Sequence, residues 1–126
     1  PLSGLMLKEI WCCSMKKDDS VYLHHILAAI EQIETYTHEV SLQDFLQRRI
    51  VQDGVIRQLE IIGEATRNLS SELCQNHSEV RWVEIIGLRN RIAHAYYNID
   101  LGVVWDIVQE DLPLLKRDVT LILESG

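Results

Sequence analysis

Between Trp82 and Tyr97 the chain reads W-V-E-I-I-G-L-R-N-R-I-A-H-A-Y-Y, and the rest of the sequence can be read outward from it. Trp82, Ile85, Ile86, Ala93 and Tyr96 recur at helical spacing, which predicts that most of the stretch is one buried helix. Into that apolar stripe the chain sets Arg89, Asn90, Arg91 and His94. A guanidinium is costly to bury unless it is paired or held at a wet cleft, so the cluster marks a candidate site. On an ideal helix Arg89 and His94 lie about 140° apart, and one helix alone does not bring them together. Asn90 and His94 share one face, while Arg89, Ala93 and Tyr96 share another. Either the helix loosens at His94, or the site draws on more than one surface.

The flanking sequence is helical throughout. Asp18 or Asp19 can cap a first helix whose buried face is Tyr22, Ile26, Ala29, Ile30 and Ile33, ending near Thr37. Ser41 can cap a short turn through Phe45. A second long helix is expected from about Leu46 to Leu69, burying Ile50 or Val51, Val55, Leu59, Ile62, Ala65 or Thr66, and Leu69. Gly54 and Gly63 lie inside it at about 1 kcal/mol each against Ala, which suggests close approach of another backbone or a ligand. The Gly63-Glu64 face is the expected opposite wall of a cleft. Ser70-Ser71 caps a short turn to Asn76. Asp100 caps the last helix, with Leu101, Val104, Val108, Leu115, Val119 and Ile122 inward and Pro113 expected to kink it. No segment alternates like a strand. The fold class is all-α, an antiparallel bundle of four main helices with short extra turns.

One hundred and twenty-six residues allow one domain. Residues 1–14 read as an extension, Pro1-Leu2-Ser3-Gly4 as an expression scar, and residues 15–126 as the domain; Met6 and Met15 are both candidate natural starts. No apolar run approaches the ~18 to 20 residues needed to cross a membrane. The three cysteines, Cys12, Cys13 and Cys74, form no disulfide framework, which points to a reducing cytoplasm. The net charge of −7 opposes nucleic acid as a partner at first sight. Its distribution softens that objection, because all seven arginines outside the last helix fall between residues 48 and 91, and every cation in that segment is an arginine. Arginine is the better fork for phosphate.

Two readings stand for each candidate side chain. His94 is either a core histidine satisfied by a backbone carbonyl or a general acid/base, and Arg91 is a salt-bridge or RNA contact. Asn90 reads as an orienting hydrogen-bond group. Glu64 either orients an arginine or is an ordinary acid. Trp82 and Trp105 read as core before base-stacking platforms. His24, His25, His38 and His77 have no metal-ligand spacing and read as surface residues. Gly-rich phosphate loops are absent from the sequence.

Arg89-Asn90-x-x-x-His94-x-Tyr96 resembles the R-x4-H-x-Y signature of the HepT-like toxins, a branch of the HEPN superfamily of small helical ribonucleases. Asp18-Asp19 with Tyr22-Leu23, the run from Arg57 to Ala65, Trp82 and Trp105 resemble that family's pattern in the right order, over roughly residues 15 to 123. The resemblance implies a homodimeric HEPN-type bundle with two motifs facing one cleft. It implies a metal-independent endoribonuclease toxin of a type VII-like pair, with Arg89 and His94 catalytic, Asn90, Arg91 and Glu64 supporting, and no cofactor for the chain itself. RNA would be the substrate. The partner would be an MntA-like nucleotidyltransferase antitoxin that uses ATP and Mg²⁺ to place AMP on Tyr96, with Tyr97 beside it as the other candidate acceptor. A different class of reading is a non-catalytic helical module that binds a nucleotidyltransferase and presents substrate to it; a third is a plain structural dimer.

Overall fold

The computed structural model describes residues 4–95 and 98–125, and the side chains of residues 18–88, 90–92 and 99–125. Helix α1 runs Gly4–Tyr36, α2 Leu42–Gln47, α3 Arg49–Arg67 and α4 Ser71–Asn76. Next come α5 (Trp82–Ile86) and α6 (Leu88–Ile92), then two short paired strands, β1 (Ala93–Ala95) and β2 (Asn98–Ile99). Helix α7 (Leu101–Asp106) passes through a π-helical segment (Ile107–Asp111) into α8 (Leu112–Ser125). The fold is all-α apart from that five-residue pairing.

Helix α1 is longer than expected. Neither Gly nor Pro interrupts the sequence between Leu5 and Tyr36, so nothing local starts a new helix at Asp18 or Asp19. Asp19 does other work. Its carboxylate accepts from the Ser70 backbone N–H at 2.8 Å and from the Ser70 hydroxyl at 2.7 Å, tying α1 to the start of α4. Ser70 in turn caps α4 by accepting from the Leu73 N–H. At the other end of α1 the Tyr36 ring lies against Gly54 of α3. These two contacts, Asp19 to the end of α3 and Tyr36 to its beginning, make α1 and α3 antiparallel. Lys116 of α8 reaches Glu34 at 2.9 Å, while Ile122 and Leu123 lie with Asp19 and Leu23 around one surface depression, so α8 is antiparallel to α1 as well.

The core follows the expected stripes closely. Ile26, Ala29, Ile30 and Ile33 are buried on α1, and Val51, Val55, Leu59, Ile62, Ala65 and Thr66 on α3. Val51, not Ile50, faces inward; Ile50 is 81% exposed. The long helix expected from Leu46 is two helices, because Arg48 is extended (φ −107°, ψ 91°) and ends α2. Ser41 forms a capping box with Asp44 at the start of α2. The buried Gln52 side chain donates to the Phe45 carbonyl near its end, and Thr66 donates to the Ile62 carbonyl. Among the described residues every buried side-chain polar atom has a partner.

Asp100 caps α7 by accepting from the Val103 N–H. The distortion expected at Pro113 takes the form of the π turn before it, in which the Leu112 N–H donates to the Ile107 carbonyl, five residues back. A proline ring would strike the carbonyl four residues earlier in a regular helix, and one extra residue in the turn moves that carbonyl away.

The two glycines of α3 separate by what they meet. A Cβ at Gly54 would stand 2.9 Å from the Tyr36 ring. One at Gly63 would stand 3.4 Å from the Ile85 carbonyl oxygen and 3.6 Å from that of Ile86. The expected close backbone is therefore α5, the first half of the Trp82–Tyr97 stretch. Gly63→Leu should cost about 1–3 kcal/mol of stability through overpacking, whereas Ile50→Ser should change it by less than about 0.5 kcal/mol. Urea unfolding followed by far-ultraviolet circular dichroism checks both.

Candidate functional site

The stretch that organises the sequence is not one helix. Gly87 ends α5, its N–H donating to the Val83 carbonyl at 3.0 Å, and its own carbonyl accepts from Arg91 at 3.0 Å. The second half stops at Ile92, four residues short of Tyr96. No Gly or Pro lies between Leu88 and Ala95, so the ending is tertiary in origin. The Ile92 carbonyl accepts the Asp100 N–H at 2.9 Å, in place of an N–H further along its own helix. Ala93 then pairs with Ile99 and Ala95 with Asn98, with an irregularity between Ala93 and Ala95.

This corrects two expectations. The buried stripe is Trp82, Leu88 and Ile92, with Ile85 and Ile86 half-buried, and does not run on as a helix through Ala93 to Tyr96. The face-sharing of Asn90 with His94 also falls, since His94 belongs to β1; that of Arg89 with Tyr96 lies outside the described residues. Of the two alternatives left by the sequence, the helix loosens, and it does so before His94. Arg89 lies on α6 and His94 on β1 by backbone; their side chains, and the whole of Tyr96 and Tyr97, lie outside the described residues.

The supporting residues separate. Asn90 is exposed. Arg91 is not among the residues lining the groove described below and pairs with Asp111 of the π segment at 2.8 Å. Both partners are nearly half exposed, so the bond is an ordinary surface ion pair of about 1 kcal/mol or less. Trp82 is buried with its indole N–H donating to the His77 carbonyl at 2.9 Å, and Trp105 packs on Phe45 with ring centroids 5.3 Å apart. Both are core residues. The Cys74 thiol is raised above its ordinary range, by burial first and then by the Asp19 carboxylate.

Glu64 is exposed on α3. It lines a groove of about 380 Å³ between α1, α3 and α5, together with Gly63 and, from the motif segment, Ile86. Its other walls include Tyr22, His25, Arg57, Glu60, Arg67 and Asn68. Tyr22, His25, Arg57 and Arg67 were not singled out by the motif. A signal for them exists: Arg57, Glu60, Glu64 and Arg67 recur at helical spacing on the face of α3 opposite Val55, Leu59 and Ile62. Among the described residues no three of His, Cys, Asp and Glu converge in a way that would hold a metal ion. No described helix is long and apolar enough to cross a membrane.

Comparison with known proteins gives a consistent result. The profile of the family described as "Ribonuclease HepT-like" matches residues 26–122. The "Probable ribonuclease HepT" of Thermococcus cleftensis is 43% identical over 102 residues, which is 81% of this chain and 93% of that protein. A Methanocaldococcus jannaschii protein named "Putative RNase MJ1380" is 35% identical over 107 residues, 85% of this chain and 98% of its own length. Another from that organism, "Gamma-glutamylcyclotransferase and putative RNase MJ0434", is 41% identical over 111 residues; the match takes 88% of this chain but spans only 50% of the relative. No solved structure matches significantly.

Proposed function

The chain belongs to the HepT-like ribonuclease family, and from that premise we propose that it is a metal-independent endoribonuclease, the toxin of a toxin–antitoxin pair acting in the cytoplasm. The helices form a HEPN-type antiparallel four-helix bundle, and two copies pair so that their motifs face one cleft. The observation that carries the reading is the change of backbone at Ile92. It puts Arg89 and His94 on different elements, which removes the 140° separation a continuous helix would impose.

The chemistry needs only these groups. His94 takes the proton from a ribose 2′-hydroxyl as the 2′-oxygen attacks the adjacent phosphorus. The bond from phosphorus to the 5′-oxygen breaks, and a protonated histidine, that of the second copy, gives its proton to the leaving oxygen. The products are a 2′,3′-cyclic phosphate and a 5′-hydroxyl. Arg89 holds the charge gathering on the phosphorane. Asn90 orients, Arg91 braces α6 through Asp111, and Glu64 stands on the facing wall.

Tyr96 is the regulatory position. A nucleotidyltransferase partner transfers AMP from ATP: the phenolic oxygen bonds to the α-phosphorus, its proton is released, and pyrophosphate leaves. An anionic adenylate two residues from His94 would occupy the cleft and repel RNA phosphate.

Purified chain should cut total RNA in EDTA, and His94→Ala should slow cutting by about 10²- to 10⁴-fold with unchanged helical content. Equal cutting by the variant would end the catalytic assignment; no cutting by the parent would favour a non-catalytic module that presents substrate to its partner. Co-incubation with the partner nucleotidyltransferase, ATP and Mg²⁺ should add AMP units by intact mass, and Tyr96→Phe should prevent it. A label on Tyr97, or full cutting by the modified protein, would remove the switch.

A further inference from the structure

Side chains of both charges line the groove between α1 and α3. Arg49, Arg81, Arg91 and Arg117 each pair with a carboxylate, at distances between 2.8 and 3.6 Å. Among the described residues Arg48, Arg57 and Arg67 form no ion pair, and Arg57 and Arg67 line the groove. They are ten residues apart on one helix, about 15 Å along its axis. Arginines without an ion pair are available to a ligand that brings its own negative charge. Between them lie Glu60 and Glu64, whose carboxylates repel phosphate but accept hydrogen bonds from amino groups. The α1 wall adds Tyr22 and His25, held edge to face with ring centroids 6.1 Å apart and planes at 82°. Phosphate-seeking arginines at the two ends and amino-seeking carboxylates between them, beside aromatic rings, suit a nucleic-acid strand whose phosphates reach the ends and whose bases lie between.

We propose that this groove, which includes Glu64 of the facing wall, holds a single-stranded segment of the RNA substrate flanking the bond that is cut, with phosphates on Arg57 and Arg67 and bases turned toward Glu60 and Glu64. Ile86, at the end of α5, joins the groove to the motif segment, so a strand lying there leads toward α6. The inference rests on RNA being the substrate. It adds a base preference: cytosine offers its N4 amino group to a carboxylate, whereas uracil presents the O4 acceptor at the same place.

The test measures binding of fluorescein-labelled 2′-O-methyl oligocytidine and oligouridine, which cannot be cut through the 2′-oxygen, to the full chain by anisotropy at several salt concentrations. The parent should bind oligocytidine more tightly than oligouridine. Arg57→Gln/Arg67→Gln should weaken binding at least tenfold and lower the slope of log K against log salt by about 0.7 for each lost contact. Glu60→Gln/Glu64→Gln should erase the preference for cytosine, and Arg117→Gln, outside the groove, should change neither property. These arginines are surface groups, and circular dichroism checks that the variants fold. Parent-like binding by the arginine variant, or equal binding of both oligomers by the parent, would overturn the groove while leaving RNA as substrate. Failure of the parent to bind either oligomer would overturn both.

Discussion

The Ile92 carbonyl accepts the Asp100 N–H at 2.9 Å, and the form of the motif segment depends on that bond. Upstream of it, the carbonyl oxygens of Ile85 and Ile86 face Gly63 of α3, Ile86 lines the α1–α3 groove, and Leu88 and Ile92 are buried. At Ile92 the helix ends. The local sequence favours continuing: Ala93 and Ala95 are helix formers or neutral, and no breaker intervenes. Tertiary hydrogen bonding overrides that preference, and the override falls inside the R-x4-H motif.

The distribution of burial explains which parts of the fold were legible in advance. Stripes such as Ile26–Ile30–Ile33 and Val55–Leu59–Ile62 declare themselves by spacing because one face of each helix is buried and the other is wet. The caps at Ser41, Ser70 and Asp100 were equally legible, since their side chains act within three residues. What the sequence hid is set by contacts between distant segments. Asp19 looked like a helix cap and instead bonds Ser70, 51 residues away. The end of α6 is fixed by Asp100, and no period within residues 82–97 contains that information.

Of the candidate site, the packing beside Gly63 was legible: Gly63, Glu64 and Ile86 line one groove. Arg91 resolves to an ion pair with Asp111, one of the two uses open to it. The arginines of the middle segment were legible as phosphate forks, but their company was not, because Arg57 and Arg67 share a groove with Tyr22 and His25 only across two helices. Net charge misled for a related reason. The acids of α1, α2 and the C-terminal helix lower the total, while the arginines collect in the middle of the chain.

The central claim is that the chain breaks RNA by attack of the 2′-oxygen, with histidine moving the protons and arginine holding the phosphate. The most direct test is the chemistry of the ends left on a defined oligonucleotide cut by the purified chain, read by mass spectrometry. The account predicts a 2′,3′-cyclic phosphate, or the phosphate from its hydrolysis, on one fragment and a 5′-hydroxyl on the other. A 3′-hydroxyl paired with a 5′-phosphate would mean attack by water on the other side of the phosphorus, and would contradict it.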